Sequence, residues 1–378
     1  MALKEFEFGF GHGSQKVSLP EEHILDVLEG NPTPACDVKE ATLECMRHPI
    51  GSKPLQEIVS KGDKVCIVCA DVTRIWNHSD QFVIHVVNEL NLAGIPDDDI
   101  SILFAQGTHR EQTPEEDIMV VGEELTKRVK LYQHHCMNKD ELVHVGDTSR
   151  GTPVWINKHA VEADKVIVID GITTHLFAGY GGGRKLILPG VAGDDTIQIN
   201  HCHALGEKFG SGINPKTRST LLTDNPVSDD MQEASDMIKP CFLVHSIINS
   251  EGKICAMVGG DPYKAWLEGT KIVYRIQKVP FKAKCDVAFA CAGGYPKDVS
   301  LYQGCKCYDP SDVVTKEGGI IIAIMEASDI YEPPAYMGSF KYDTEEEMEK
   351  ALRHHFTIPF VVAFTLFCMT HKYHIILV

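Results

Sequence analysis

A chain of 378 residues, 43% hydrophobic and 24% charged, is long enough for two domains with substantial cores and has the composition of an ordinary globular protein. Its formal charge of −17, with no basic block, argues against a nucleic-acid surface, because phosphate neutralisation needs clustered Lys and Arg, and the expected partners are small molecules. Thirteen cysteines in no regular framework, with no N-terminal signal peptide, speak against a disulfide scaffold and for free thiols in a reducing cytoplasm.

In chain order, Phe6–Phe10 and Gln15–Leu19, split by His12-Gly13-Ser14, predict a hairpin. Apolar, β-branched runs at Lys64–Ala70, Ile100–Ala105, Asp164–Asp170, Cys241–Ile248, Cys285–Cys291 and Gly319–Met325 predict strands. Between them, Ser79–Leu92, Pro114–Lys130, Asp194–Leu205, Pro262–Ile276 and Glu345–His355 carry helical patterns. Such alternation predicts two α/β domains with largely parallel sheets and an active site in the interdomain cleft. The charged, proline-bearing segment Gln277–Lys284 divides residues 1–277 from residues 278–378. Phe356–Met369 is too short to span a bilayer and predicts a buried helix. The chain stops at Ile375-Ile-Leu-Val378, a strand-like run with no following helix, which makes the second domain look shortened. Cys66-Ile-Val-Cys69 has metal or redox spacing, but on a strand residues i and i+3 point apart, so buried structural thiols are expected there. Cys305-Lys-Cys307, with no second pair nearby, is treated likewise.

The segments after the strands are chemically dense. Lys64–Ala70 runs into Asp71-Val-Thr-Arg74, and Ile100–Ala105 into Gln106-Gly-Thr-His109-Arg110. Asp164–Asp170 runs into the stretch from Gly171 through His175 to Gly181-Gly182-Gly183-Arg184-Lys185, and Cys285–Cys291 into Gly293-Gly-Tyr-Pro-Lys297-Asp298. In parallel α/β sheets ligands bind beyond the carboxyl ends of strands, so these loops should converge. Three successive glycines beside two cations predict an anion cradle of exposed amides. The triphosphate-loop pattern fails, because Leu186 follows the lysine where a hydroxyl is needed. The dinucleotide fingerprint fails as well, with Arg184 where its last glycine should sit.

Together these segments resemble the nickel-dependent lactate racemase family. The matching elements, in order from about residue 6 to residue 330, are Asp71-x-Thr-Arg74, Gly107-Thr-His109-Arg110, His175-x-Phe-Ala-Gly with Gly-Gly-Arg-Lys185 and Leu-Pro-Gly-Val-Ala, Asn200-His201, and Gly-Tyr-Pro-Lys-Asp with Leu-Tyr-Gln303-x-x-Lys306. The resemblance implies a racemase or epimerase of 2-hydroxy acids that uses a nickel pincer nucleotide, pyridinium-3-thioamide-5-thiocarboxylic acid mononucleotide, bound covalently through Lys185. It further implies partner enzymes that make the cofactor. By the same resemblance nickel is held by the pincer's carbon and two sulfurs, with the position of His201 completing the set. His201-Cys-His203 on a helix points its imidazoles to nearly opposite sides, so one ligand is the better count, and without the resemblance His201 would read as a plain helix-surface histidine.

The family's reaction passes C2 hydride to the pincer ring while a histidine takes the hydroxyl proton, and the matching acid/base pair is His109 and His175. Imidazole suits that task because its pKa lies near neutrality. Arg74, Gln303 and Lys306 match the substrate-binding positions, and a small hydroxy acid needs its carboxylate fixed by cationic donors. Asp71 would bind the cofactor's sugar or orient Arg74, with the pincer phosphate against Gly181, Gly182, Gly183 and Arg184. Three stretches depart from the pattern: Ile75-Trp76 stand where a proline follows Arg74, Gly304 replaces a serine, and Phe360 falls near a tryptophan. A nicotinamide-dependent hydroxy-acid dehydrogenase and a non-catalytic nucleotide-binding homologue are the alternatives.

Overall fold

The computed structural model describes residues 2–378, which pack into two compact units. One holds Gly30–His201 and Lys216–Lys278; the other holds the N-terminal residues through Glu29 with Cys202–Pro215 and Val279–Val378. This division is discontinuous, unlike the single cut at 277/278 expected from the sequence. The N-terminal strands β1 (Leu3–Phe10) and β2 (Gly13–Pro20) form the expected hairpin, slightly longer at each end. A two-stranded ribbon cannot bury its own face, and this one is tied within its unit by the Gly11 N–H donating to the buried Asp298 carboxylate at 2.7 Å.

The larger unit is built on β3 (Val65–Ala70), β4 (Ile100–Ala105), β5 (Lys130–Tyr132), β8 (Lys165–Gly171), β11 (Phe242–Ile248) and β12 (Ile254–Gly260), with the hairpin β6 (Leu142–Asp147) and β7 (Pro153–Asn157) beside them in sequence. The sheet order is β12-β11-β8-β3-β4-β5, parallel except for the β11–β12 pair. Every residue of β3 is buried, as expected of a central parallel strand covered on both faces. Cys66 and Cys69 are part of that interior, fully buried, with desolvation pushing the Cys66 thiol up to about 12. All thirteen cysteines are free thiols. The helix patterned over Pro114–Lys130 is instead Pro114–Val121 and Glu123–Arg128, broken at Gly122 (φ 83°), and Lys130 begins β5.

The chain runs outward from β3 to β4 and β5, then returns to lay β8 on the other side of β3 and continues to β11. The order therefore reverses between β3 and β8. At such a switch point the loops leaving the carboxyl ends of neighbouring strands diverge and open a crevice. Asp71 leaves β3 there, and the segment of His175 and Lys185 leaves β8.

The second unit carries a parallel three-stranded sheet, β13 (Cys285–Cys291), β14 (Thr315–Ile324) and β15 (His374–Leu377). Its helices include Glu345–His354 and the apolar Ile358–Thr370. Among the described residues, no helix is long and apolar enough to cross a membrane.

Candidate active site

Asp71 follows β3 directly, and its carboxylate is 2% exposed. Its Oδ2 lies 2.7 Å from Nδ1 of His109, on the loop after β4, and its Oδ1 accepts from the Thr73 hydroxyl at 2.6 Å. A carboxylate can only accept, so this contact assigns the His109 proton to Nδ1 and leaves Nε2 as the basic nitrogen. Burial alone would raise the Asp71 pKa; the hydrogen bond and charge of His109, with the Arg74 charge and the Thr73 hydroxyl, outweigh it and hold the carboxyl below its ordinary value. Arg74 donates from Nη1 to the Thr73 hydroxyl at 3.0 Å. The loop of His109 is tied to the segment of Lys185 by the Gly107 N–H, which donates to the Gly190 carbonyl at 2.8 Å.

After β8 the chain makes the tight pair β9 (Thr174–His175) and β10 (Gly179–Tyr180). His175 Nδ1 accepts the backbone N–H groups of Phe177 and Ala178 at 3.2 and 3.1 Å, and its Nε2 lies 3.2 Å from Nζ of Lys185. The Lys185 amine is pushed down to about 7, by burial first and then by the charges of Arg74 and Arg184, against the opposing pull of Asp170. Asp170, at the end of β8, accepts on Oδ1 from the Gly171 N–H (2.7 Å) and from Asn77 Nδ2 (3.1 Å). Burial pushes its carboxyl up to about 6 despite these donors.

The triple glycine is buried rather than an exposed anion cradle. Gly181 N–H donates to the Thr173 carbonyl at 2.8 Å and Gly183 N–H to Nε2 of His245 at 2.7 Å, so two of the three amides are engaged inside the protein. Close packing explains the glycines instead. A Cβ on Gly182 (φ 71°) would meet the His245 ring at 2.8 Å, and one on Gly183 (φ 57°) the Trp266 ring at 2.8 Å. Arg184 stacks on Trp266 at 3.9 Å, donates to the Ser228 hydroxyl at 2.7 Å and to the Ala178 carbonyl at 3.0 Å, and is buried, which lowers its pKa to about 9. Its Nη1 is buried without a hydrogen-bond partner.

His201 lies on the helix Asp194–Cys202 and is buried, not on the helix surface. Its Nδ1 donates to the Ile197 carbonyl at 2.9 Å, which in a neutral imidazole places the lone pair on Nε2. The preceding Asn200 anchors the helix by donating from Nδ2 to Asp230 Oδ2 at 2.9 Å. Gln303 and Lys306 belong to the second unit, where the Lys306 ammonium donates to Gln303 Oε1 at 2.8 Å.

Comparisons with known proteins settle the family. A model of the lactate racemase N-terminal domain matches residues 10–212, and one of the lactate racemase C-terminal domain matches residues 281–359. The chain is 30% identical over 363 residues to the lactate racemase of Thermoanaerobacterium thermosaccharolyticum, across 93% of this chain and 81% of that one. The chain belongs to the lactate racemase family. It is therefore an isomerase of the racemase type. It is also 33% identical over 295 residues to the lactate racemase of Lactiplantibacillus plantarum, across 77% of this chain and 66% of that one. The lactate racemase apoprotein structure from T. thermosaccharolyticum superposes with a TM-score of 0.88 at 29% identity, over 99% of this chain and 88% of that one. A crystal structure from Thermotoga maritima, 20% identical with a TM-score of 0.67 over 92% of this chain and 89% of that one, shares the fold.

The family implies a nickel-related cofactor, and the residues present fit one. Among the described residues, no group of three or more His, Cys, Asp or Glu could hold a metal ion. His201, with Nδ1 held by a backbone carbonyl, has the second-shell bond that a single imidazole ligand requires. Lys185, whose amine burial pushes down to about 7, has the lowered basicity that suits a nucleophilic lysine.

Two departures from the family pattern take on a structural meaning. Trp76 packs against Gly171, where an added Cβ would lie 2.9 Å from its ring. Gly304 packs against Met325, whose sulfur would be 2.4 Å from a Cβ at 304. His245, Trp266, Ser228 and Asp170 are site residues that the sequence does not single out. The only signal for His245 is a lone histidine inside a largely apolar strand.

Proposed function

We propose that this chain is a cytoplasmic racemase or epimerase that inverts C2 of a 2-hydroxy acid, lactate or a close relative, with a nickel pincer nucleotide tethered to Lys185. The observation that carries this reading is the meeting of Lys185 Nζ and His175 Nε2 at 3.2 Å beside the crevice that also receives the Asp71–His109 pair. When bound, the pincer nucleotide supplies a two-electron acceptor for the hydrogen on the substrate's C2. Everything else is done by side chains. His109, its proton on Nδ1 against Asp71, presents a lone pair at Nε2 that takes the hydroxyl proton of one enantiomer. His175, its Nδ1 held by two amides, presents a proton at Nε2 for the oxygen of the other. Asp71 is read as the residue that orients His109 rather than one that binds the cofactor's sugar, because both of its oxygens are engaged by His109 and Thr73.

Arg74 would fix the substrate carboxylate. For Gln303 and Lys306 the family resemblance supports a substrate-binding role, and for His201 it supports the role of nickel ligand. The thirteen free thiols favour a reducing compartment, hence the cytoplasm. Enzymes that make the cofactor would be its partners.

Racemisation of substrate deuterated at C2 tests the reading. Product that retains the label is expected, because the hydrogen departs and returns without meeting solvent. Extensive washout would replace this reading with proton abstraction from carbon.

A further inference from the structure

Lys185 and His175 meet in a geometry that fixes where the protons are. His175 Nδ1 accepts from the Phe177 and Ala178 amides, so it holds a lone pair, and the ring proton of the neutral imidazole must sit on Nε2. That Nε2–H faces Nζ of Lys185 at 3.2 Å. An N–H donates, so the lysine must accept, and an ammonium has no lone pair with which to do so. We infer that the chain before cofactor attachment holds Lys185 as a neutral amine, and that His175 is the positioning residue that keeps it so. This is a task separate from, and earlier than, its part in racemisation. The inference rests on Lys185 being the attachment point and concerns the protein before attachment.

The groups facing the amine from each neighbouring segment favour the same state. Arg74 faces it from the turn after β3 and Arg184 from its own segment, and both oppose a further positive charge; Asp170, from the end of β8, is the opposing group. The crevice wall removes water that would otherwise solvate an ammonium.

The consequence is a nucleophile ready without a separate base. In condensing with a thiocarboxylic acid, Nζ forms the carbon–nitrogen bond from its lone pair. The acyl oxygen leaves as water with one proton from Nζ and one from the acid, and no oxidant or reductant is needed. After attachment the nitrogen lone pair is delocalised into the thioamide and ceases to accept. The His175 Nε2–H can then donate to a substrate oxygen. Attachment thus converts His175 from holding the lysine to serving the reaction.

The test uses apoprotein made without the cofactor-forming enzymes. Limiting acetic anhydride is applied across neutral and alkaline pH, and acetylation of Lys185 is followed by peptide mass spectrometry with the other lysines as internal standards. A labelling midpoint near 7 is expected for Lys185, against about 10.4 for ordinary lysines, which leaves its neutral fraction at pH 7 roughly a thousandfold larger than theirs. His175→Leu should move that midpoint upward by at least about one pH unit, whereas His175→Gln, whose amide can donate, should keep it low. Nitrogen-15 NMR of His175 in the unaltered apoprotein should show Nδ1 unprotonated and Nε2 protonated. A protonated Nδ1, or the same midpoint in the parent and the leucine variant, overturns the inference. A low midpoint in a chain that never acquires an adduct would instead sink the function proposed above, and with it the link between the neutral amine and attachment, while leaving the neutral Lys185–His175 pair itself standing.

Discussion

His109 and His175 follow strands on opposite sides of β3 and are held in opposite ways. His109 rests its Nδ1 on a buried carboxylate, whereas His175 rests its Nδ1 on two backbone amides. A carboxylate stabilises an imidazolium and keeps Nε2 an acceptor; paired amides oppose a second proton and keep Nε2 a donor. Two chemically identical side chains are thereby set as a base and an acid, the combination an inversion needs if it takes a proton on one side and gives one on the other. The two strand-end carboxyls repeat the contrast, since Asp71 faces an imidazole and is held low while Asp170 faces mainly neutral donors and is pushed up.

The contrast is broken most severely by removing either ring. His109→Ala and His175→Ala should each lower kcat for lactate inversion by about 10²–10⁴-fold, measured by chiral chromatography of cofactor-loaded protein. Equal losses in the two would mean the arms contribute alike; no loss in either would remove both from the chemistry.

Asp71→Asn should come next. An asparagine amide would donate to Nδ1 and drive the His109 proton to Nε2, so kcat should fall by about 10²–10⁴-fold, with His175 unaffected by nitrogen-15 NMR. Asp71 also stabilises the fold while ionised, because its folded pKa lies below its unfolded one of about 3.9. That stability is full above about pH 4 and is lost as pH falls through the depressed value. Urea unfolding of the parent should weaken across that acid range, and the asparagine variant should lack this component.

Asp170→Asn should act with the opposite sign. Its folded pKa of about 6 lies above the unfolded value, so the fold opposes its ionisation as pH rises past both. The asparagine keeps an oxygen for Gly171 and Asn77, and at pH 8 it should stabilise the protein by roughly 3 kcal/mol, an increase in Tm of about 6 °C. At pH 4 the gain should vanish, and a loss at pH 8 would contradict the assigned environment.

The smallest effect is expected away from both arms. Gly304→Ser, which puts a Cβ against the Met325 sulfur, should cost about 1 kcal/mol because methionine yields easily. A double-mutant cycle with Met325→Ala should reveal the coupling.

Much of the fold and site is legible in the sequence, and the remainder is hidden for definite reasons. The strands of the central sheet stand out because parallel strands buried on both faces are continuous apolar runs, as at Val65–Ala70. The site loops stand out because titratable residues follow those runs directly. The glycine run reads as an exposed cradle and is not one, because the direction of its amides depends on His245 and Trp266, which arrive from β11 and the helix Pro262–Gln277 more than sixty residues later in the chain. Asp71 reads as a partner of the sugar or of Arg74, since nothing local reveals that His109 comes within 2.7 Å of it. The hairpin β6–β7 and the helix Pro226–Ile238 escape sequence patterning, the first being short and bulged at His144/Gly146 and the second rich in polar residues. Membership of the N-terminal strands in the second unit is a long-range fact, carried by contacts such as Gly11 to Asp298.

Attachment of the cofactor at Lys185 is the central claim. Protein matured together with the cofactor-making enzymes can be digested and weighed, with nickel measured on the same sample. A Lys185 peptide heavier by the nucleotide adduct, with one nickel per chain, is the predicted result; vigorous racemisation by a chain whose Lys185 is unmodified and which holds no nickel would contradict it.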